Sequence, residues 1–299
     1  MKIAITGSSG LIGSALVPFL QRSGHTVVRL VRSQVAPEPG VVSWNPDSGK
    51  IDSSRLGEID GVIHLAGAPI AAGRWTPEKK ARIRDSRVKG TEFLVRALTR
   101  LSHKPKVFLC ASAIGFYGNR GEEILTESSS QGAGFLAETA LAWEGAAQSA
   151  EKEGIRTVNL RFGVVLSPHG GALKMMLPPF QMGVGGILGS GKQYMSWVAI
   201  DDLLGTISFL LTNESLRGPI NVVSPNPVTN QEFTKTLGAV LRRPTLFPMP
   251  AFAVRLLFGE LADEALLASA RVEPERLKEA GYSFRYSELA TALRHLLSV

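Results

Sequence analysis

The sequence predicts a doubly wound α/β fold, with a parallel sheet at the N-terminus and a smaller mixed α/β C-terminal lobe. Three observations carry this. Lys2–Thr6 is an apolar run of strand length that leads into Gly7, Gly10 and Gly13, spaced G-x-x-G-x-x-G. Leu11, Ile12, Ala15, Leu16, Phe19 and Leu20 follow at once and fall on one face at helical spacing. Strand-like and helix-like segments then alternate to residue 165, as in a parallel sheet with crossover helices.

The opening strand, glycine turn and helix would present backbone N–H groups at the positive end of a helix, an arrangement suited to a pyrophosphate. Gly7 allows the tight turn, Gly10 lets phosphates approach the main chain, and Gly13 lets the helix pack on the sheet. Residues 26–31 read as a second strand, completing a βαβ unit. That strand ends at Arg32, followed by Ser33, and no acidic residue occurs before Glu38. A carboxylate here would accept ribose hydroxyls and favour NAD. An arginine can pair with a 2′-phosphate instead, so NADP is expected over NAD; the alternative is a surface arginine serving solubility.

Residues 34–60 read as loops around a short strand at 41–44. Residues 60–67 form the next strand, ending in a small-residue turn that belongs beside the cofactor; His64 within it reads as a packed or hydrogen-bonded histidine. A long helix is expected over 77–101, a buried strand over 106–112, a loop over 113–118, a helix over 135–153 and a strand before Gly163. Glu144 reads as an exposed or capping carboxylate beside Trp143. Residues 167–197 hold so much glycine that mobile backbone is expected, a lid or a connector. Asp201 and Asp202 read as caps of an apolar helix at 203–211. The end of the chain reads as a compact cap. The expected division is a nucleotide-binding core at 1–165, to which 198–225 return, and a substrate or cap lobe from 166–197 and 226–299.

Composition narrows the function. Of 299 residues, 44% are hydrophobic and 20% charged, which fits a globular enzyme. The 33 Lys and Arg exceed the 26 Asp and Glu, giving +7, but the cations are scattered, and the cluster at 79–84 sits among helix-spaced apolar residues. No nucleic-acid partner is expected. No apolar run reaches the roughly 18 residues of a membrane span, and no signal-like N-terminus is read, so no membrane partner is expected either. The single cysteine, Cys110, reads as a core thiol and excludes a disulfide framework and a cysteine-rich metal site. A cytoplasmic protein, monomer or homodimer, with a small-molecule substrate and no metal, is the resulting expectation.

Taken in order, Gly7…Gly10…Gly13, the His64–Gly67 turn, Ser112…Phe116-Tyr117-Gly118 and Val198…Asp201-Asp202 resemble the extended short-chain dehydrogenase/reductases of the sugar-nucleotide epimerase-like branch. The run Trp75…Arg82…Ser86-Arg87…Gly90-Thr91, the Phe135…Trp143-Glu144 segment, residues 183–197 and the Pro274…Phe284 ending look like the atypical subfamily with its own C-terminal domain of uncharacterised function. The resemblance spans essentially the whole chain. It implies a Rossmann-like core binding NAD(P), with substrate held between core and C-terminal part. It further implies that Gly7, Gly10, Leu11, Ile12 and Gly13 hold the pyrophosphate and that Arg32 meets the 2′-phosphate. Leu65, Ala66 and Gly67 would line the adenosine and ribose, Arg82 and Arg87 would approach phosphates, and Phe162 and Gly163 would lie near the nicotinamide.

The family's catalytic set does not carry over. Its members use a Tyr-x-x-x-Lys pair, the lysine lowering the tyrosine pKa, together with a serine or threonine. With Glu144 as anchor, Leu136 stands at the tyrosine position and Ala140 at the lysine position; Ala113 stands at the serine position. Ala199 occupies a place where many relatives have histidine. Tyr117 and Ser112 are therefore the catalytic candidates, with Lys192 and Tyr194 behind them. The expected function is an NADP-binding, epimerase-like oxidoreductase acting on a small carbonyl or nucleotide-linked substrate. The alternative is an NADP-binding regulatory or scaffold protein with little turnover.

Overall fold

The computed structural model describes residues 1–32 and 38–298; Ser33 and the start of the expected 34–60 loop lie outside them. Along the chain run β1 (Lys2–Thr6), α1 (Leu11–Arg22), β2 (Thr26–Val31), β3 (Val41–Asn45), β4 (Lys50–Ile51), β5 (Gly61–His64), α2 (Pro77–Thr99) and β6 (Val107–Ala113). Then come β7 (Ile124–Leu125), α3 (Phe135–Gln148), β8 (Arg156–Phe162), β9 (Val164–Leu166), α4 (Gly171–Gln181), β10 (Tyr194–Met195), β11 (Trp197–Ala199), α5 (Ile200–Thr212) and β12 (Gly218–Val222). The chain ends with β13 (Val228–Thr229), α6 (Asn230–Leu241), α7 (Ala251–Phe258), β14 (Arg271–Val272), α8 (Glu275–Glu279) and α9 (Leu289–Leu297).

The main sheet has the order β12-β8-β6-β5-β1-β2-β3-β4. Its pairs are parallel except for β3 with β4 at the edge. The strand order turns back at β1, and the two directions away from it are the two halves of a Rossmann-like sheet. Successive strand residues point to opposite faces, and the core divides accordingly. Ile3, Ile5, Ile63, Leu109 and Leu160 pack with Leu16 and Leu20 of α1 and Leu203 and Ile207 of α5. Ala4, Val62, Phe108 and Cys110 pack on the other face with Leu94, Val95 and Leu98 of α2 and Trp143 and Ala147 of α3. Cys110 is fully buried and burial pushes its thiol pKa upward. A third cluster joins Leu173, Phe180, Trp197, Phe233, Leu237 and Leu293, the centre of the C-terminal lobe.

Two expectations change here. The glycine-rich 167–197 segment is not irregular throughout: Gly171–Gln181 is helical, because its prolines fall in the last turns and Leu173 and Phe180 are buried. Asp202 is no helix cap. It lies inside the first turn of α5, and its buried carboxylate accepts the N–H groups of Arg285 (2.8 Å) and Tyr286 (2.9 Å), tying the C-terminal segment to the core. Among the described residues no helix is long and apolar enough to cross a membrane.

Candidate cofactor site and the network beneath it

The parallel register brings the site together at the carboxyl edge of the sheet. Beyond Thr6, Gly7 has φ +69°, and a Cβ there would stand 2.8 Å from the Leu65 carbonyl. A Cβ on Gly13 would reach within 2.2 Å of the Gly7 oxygen, so the close approach of α1 to the turn depends on that glycine. Gly10 is different. Its Cβ would meet only the Gly7 oxygen, at 3.3 Å, and otherwise open space. The helix beginning at Leu11 has no side-chain cap and no acidic residue in its first turn. Its orphan N–H donors and positive dipole end are therefore not satisfied by side chains of its own first turn. A space that one methyl would fill, bordered by backbone donors, fits a dinucleotide pyrophosphate.

Thr6 locks the neighbouring turn in place. Its Oγ1 accepts the N–H groups of Leu65 (3.1 Å) and Ala66 (3.3 Å) and shares a hydrogen bond with Nδ1 of His64, 2.6 Å away. His64 is fully buried and neutral at ordinary pH. Burial, with a smaller contribution from the Arg87 charge, pushes its pKa down to about 3. It packs edge-on with Trp44 at 5.8 Å, a core histidine and not a catalytic one.

Arg87 of α2 lies against Gly67; a Cβ on Gly67 would be 3.2 Å from Cζ of the guanidinium. Nη1 donates to the carbonyls of Ala68 and Ile83, each at 3.0 Å. Burial lowers its pKa to about 10, which leaves it cationic at neutral pH. Arg82 is exposed, more than a turn earlier on the same helix. Arg32 is exposed immediately beyond β2, the neighbour of β1 in the sheet. Phe162 ends β8, and Gly163 runs so close to the next segment that a Cβ would be 2.6 Å from the Ser196 oxygen. Gly7, Gly10, Leu11, Ile12, Gly13, Leu65, Ala66, Gly67, Arg87, Phe162 and Gly163 thus share one edge, with Arg32 at its flank.

Tyr117 and Ser112 lie immediately below this edge, since Ala113, next to Ser112, is the register partner of Phe162. Ser112 of β6, Arg161 of β8 and Asn221 of β12 are register partners on three adjacent strands. Their side chains meet Glu144 from α3 and Tyr117 from the turn after β6. The Ser112 hydroxyl donates to Glu144 Oε1 at 2.6 Å; Arg161 donates to both Glu144 oxygens at 2.8 Å. Arg161 Nη1 donates to the Tyr117 hydroxyl at 2.9 Å, which donates to Asn221 Oδ1 at 2.7 Å. The Arg161 guanidinium also lies 3.6 Å from the Phe116 ring centroid. Tyr117 is 0% and Ser112 3% exposed, and burial raises the Tyr117 pKa to about 12. Both hydroxyls are thus committed to a buried hydrogen-bond network. The expectation for Glu144 is corrected: it is neither exposed nor a cap but half of a bidentate buried pair.

Residues 3–223 match the model of the NAD-dependent epimerase/dehydratase family, and residues 249–296 match a domain of unknown function, DUF1731. The chain belongs to the NAD-dependent epimerase/dehydratase family. It is 44% identical to an epimerase family protein of Mycobacterium bovis, over 97% of this chain and 96% of that one. The crystal structure of human epimerase family protein SDR39U1 with NADPH superposes with a TM-score of 0.91 at 31% identity, covering 100% of this chain and 99% of that one. A nucleoside-diphosphate sugar epimerase from Corynebacterium glutamicum gives a TM-score of 0.82 at 38% identity, covering 99% of this chain and 58% of that one.

In this epimerase-family chain the DUF1731 region closes over the helix N-termini beside the cofactor edge. The Glu264 carboxylate accepts the first N–H groups of α3, from Phe135 (3.1 Å) and Leu136 (3.0 Å). Lys80 of α2 pairs with Glu260 at 2.6 Å, and Arg74 donates to the Leu256 carbonyl. Trp75 and Phe135 meet edge-on at 5.2 Å beneath these contacts. Leu136 packs toward Gly115, where a Cβ would be 3.3 Å from that of Leu136. Sequence reasoning missed Glu264, Arg161, Asn221 and the role of Glu144. One signal was available: a lone arginine inside the apolar strand 156–162 needs a buried partner.

Proposed function

We propose that the chain is an NADP-binding, epimerase-like oxidoreductase acting on a small carbonyl or nucleotide-linked substrate. The observation that carries the reading is the uncapped α1 N-terminus behind Gly10, with Arg32 rather than a carboxylate beyond β2. The crystal structure of the human relative with NADPH supports the choice of NADP over NAD. A bound nicotinamide would supply hydride transfer. The backbone of residues 10–13 would hold the pyrophosphate, Arg32 the 2′-phosphate, and Leu65–Gly67 the adenosine and ribose. Arg82 and Arg87 would add positive charge on the phosphate side, and Phe162 and Gly163 would border the nicotinamide. The core at 1–165, joined by 198–225, would carry the cofactor. Residues 166–197 and 226–299 would shape the substrate pocket. The buried thiol fits a reducing cytoplasm.

A second reading, an NADP-binding regulatory or scaffold protein with little turnover, is favoured by one observation. The proton-transfer positions hold Ala113, Leu136 and Ala140, and the nearest hydroxyls are buried. The two readings separate in a screen of carbonyl compounds and sugar nucleotides for NADPH oxidation or isomer formation. Turnover with any of them supports the enzyme; tight NADPH binding without turnover across the screen supports the scaffold. Absence of NADPH binding removes both.

A further inference from the structure

Much of the apolar surface exposed among the described residues lies on segments that pack together. Met182, Val184, Leu246, Phe247, Phe252 and Leu256 are between 52% and 75% exposed. The segments that carry them are zipped together. Met249 N–H donates to Ile187 O at 2.8 Å and Gly189 N–H to Met249 O at 2.9 Å, and a Cβ on Gly186 would strike the Phe247 carbonyl. α7 follows directly. It buries Val254 and turns Phe252 and Leu256, one helical turn apart, outward. Large exposed apolar faces mark interaction surfaces.

Charge says what covers this one. Residues 167–200 and 233–259 hold six lysines and arginines (Lys174, Lys192, Lys235, Arg242, Arg243, Arg255) and no aspartate or glutamate. Among the described residues only Arg255 of these six has an ion-pair partner, Asp263. Arg242 and Arg243 are exposed and immediately precede the segment bearing Leu246 and Phe247. An isologous contact with a second copy would set these cations against each other. A short helix with outward phenylalanine and leucine beside unpaired arginines has the chemistry of a segment lying in a lipid interface.

We propose that this face docks on an anionic lipid surface, with the side chains of α7 and the 246–247 segment entering the headgroup boundary and Arg242 and Arg243 meeting lipid phosphates. The absence of a spanning segment does not bear on this, because such a helix lies on the membrane and does not cross it. The face adjoins the lobe that closes over the cofactor edge, through the Arg74 contact to Leu256, so docking would bring the site to the membrane surface.

The test is co-sedimentation of the full chain with vesicles of phosphatidylcholine alone or of phosphatidylcholine mixed with phosphatidylglycerol. The expected result is binding to the mixed vesicles at low salt and none to phosphatidylcholine alone. Phe252→Ser/Leu256→Ser abolishes binding and Arg242→Gln/Arg243→Gln weakens it about tenfold or more, with melting temperatures unchanged because all four side chains are exposed. No binding to the mixed vesicles overturns the proposal, as does binding that Phe252→Ser/Leu256→Ser leaves intact. A dimer by light scattering that this pair of substitutions dissolves, in a chain that ignores vesicles, assigns the face to a second copy and overturns it too.

Discussion

Gly10→Ala separates folding from cofactor binding. Gly10 sits at φ −76° and ψ 176°, extended backbone that alanine adopts, and its added Cβ meets only the Gly7 oxygen at 3.3 Å. Replacing an N-cap glycine by alanine costs the apo protein about 1 kcal/mol or less. The same methyl fills the space a phosphate must enter. Losing two charge-assisted backbone hydrogen bonds, at roughly 1.5–3 kcal/mol each, weakens NADPH about a hundredfold or more. At a ligand concentration about a hundred times the wild-type Kd, wild type gains about 2.7 kcal/mol and the variant about 0.4 kcal/mol. At about 2 °C per kcal/mol for a chain of this size, a thermal shift near ~5 °C falls below ~1 °C. Gly13→Ala is the contrast: its Cβ would lie 2.2 Å from the Gly7 oxygen, so it destabilises the apo protein by about 3 kcal/mol. Thermal shift with and without NADPH reads both. A Gly10→Ala protein that keeps the full NADPH shift refutes the cradle, and one as unstable without ligand as Gly13→Ala refutes the separation.

Arg161→Met leaves Glu144 buried without its partner and costs about 3–5 kcal/mol in urea unfolding; adding Glu144→Met recovers part of that loss, and a single-variant cost near zero contradicts the network. Tyr117→Phe strands Arg161 Nη1 and Asn221 Oδ1 and lowers stability by about 1–3 kcal/mol, while NADPH affinity stays at the wild-type value; a lost affinity with unchanged stability would assign Tyr117 to the site. His64 has a folded pKa of about 3 against an ordinary 6.5, so the unfolded chain binds the extra proton as pH falls. Its contribution to stability is intact above pH 6.5 and is lost on acidification by about 1.4 kcal/mol per unit down to about pH 3. His64→Gln flattens the stability profile between pH 6 and 4 measured by urea unfolding; an unchanged slope assigns the acid sensitivity elsewhere.

The alternating core was legible because each strand is an apolar run and each helix carries one face, and the glycine spacing marked the turn on its own. The cofactor edge followed, since a strand's carboxyl end locates its loop. The network was not legible. Ser112, Arg161 and Asn221 are far apart along the chain and become neighbours only through strand register, which no local pattern encodes. Asp202 misled for a related reason: an acidic residue at a helix start satisfies the capping rule, yet its partners, Arg285 and Tyr286, arrive from the far end of the sequence. Pro178 and Pro179 made a helix hard to see in a glycine-rich segment that nevertheless buries Leu173 and Phe180.

Parallel titrations of wild type and Arg32→Asp with NADPH and NADH test the central claim most directly. Wild type should bind NADPH about tenfold or more tightly than NADH, the yield of one exposed charge-assisted pair, and Arg32→Asp should erase or reverse that preference, weakening NADPH while its carboxylate accepts the ribose hydroxyls of NADH. Equal affinity of wild type for the two nucleotides, or a preference that survives Arg32→Asp, contradicts the account.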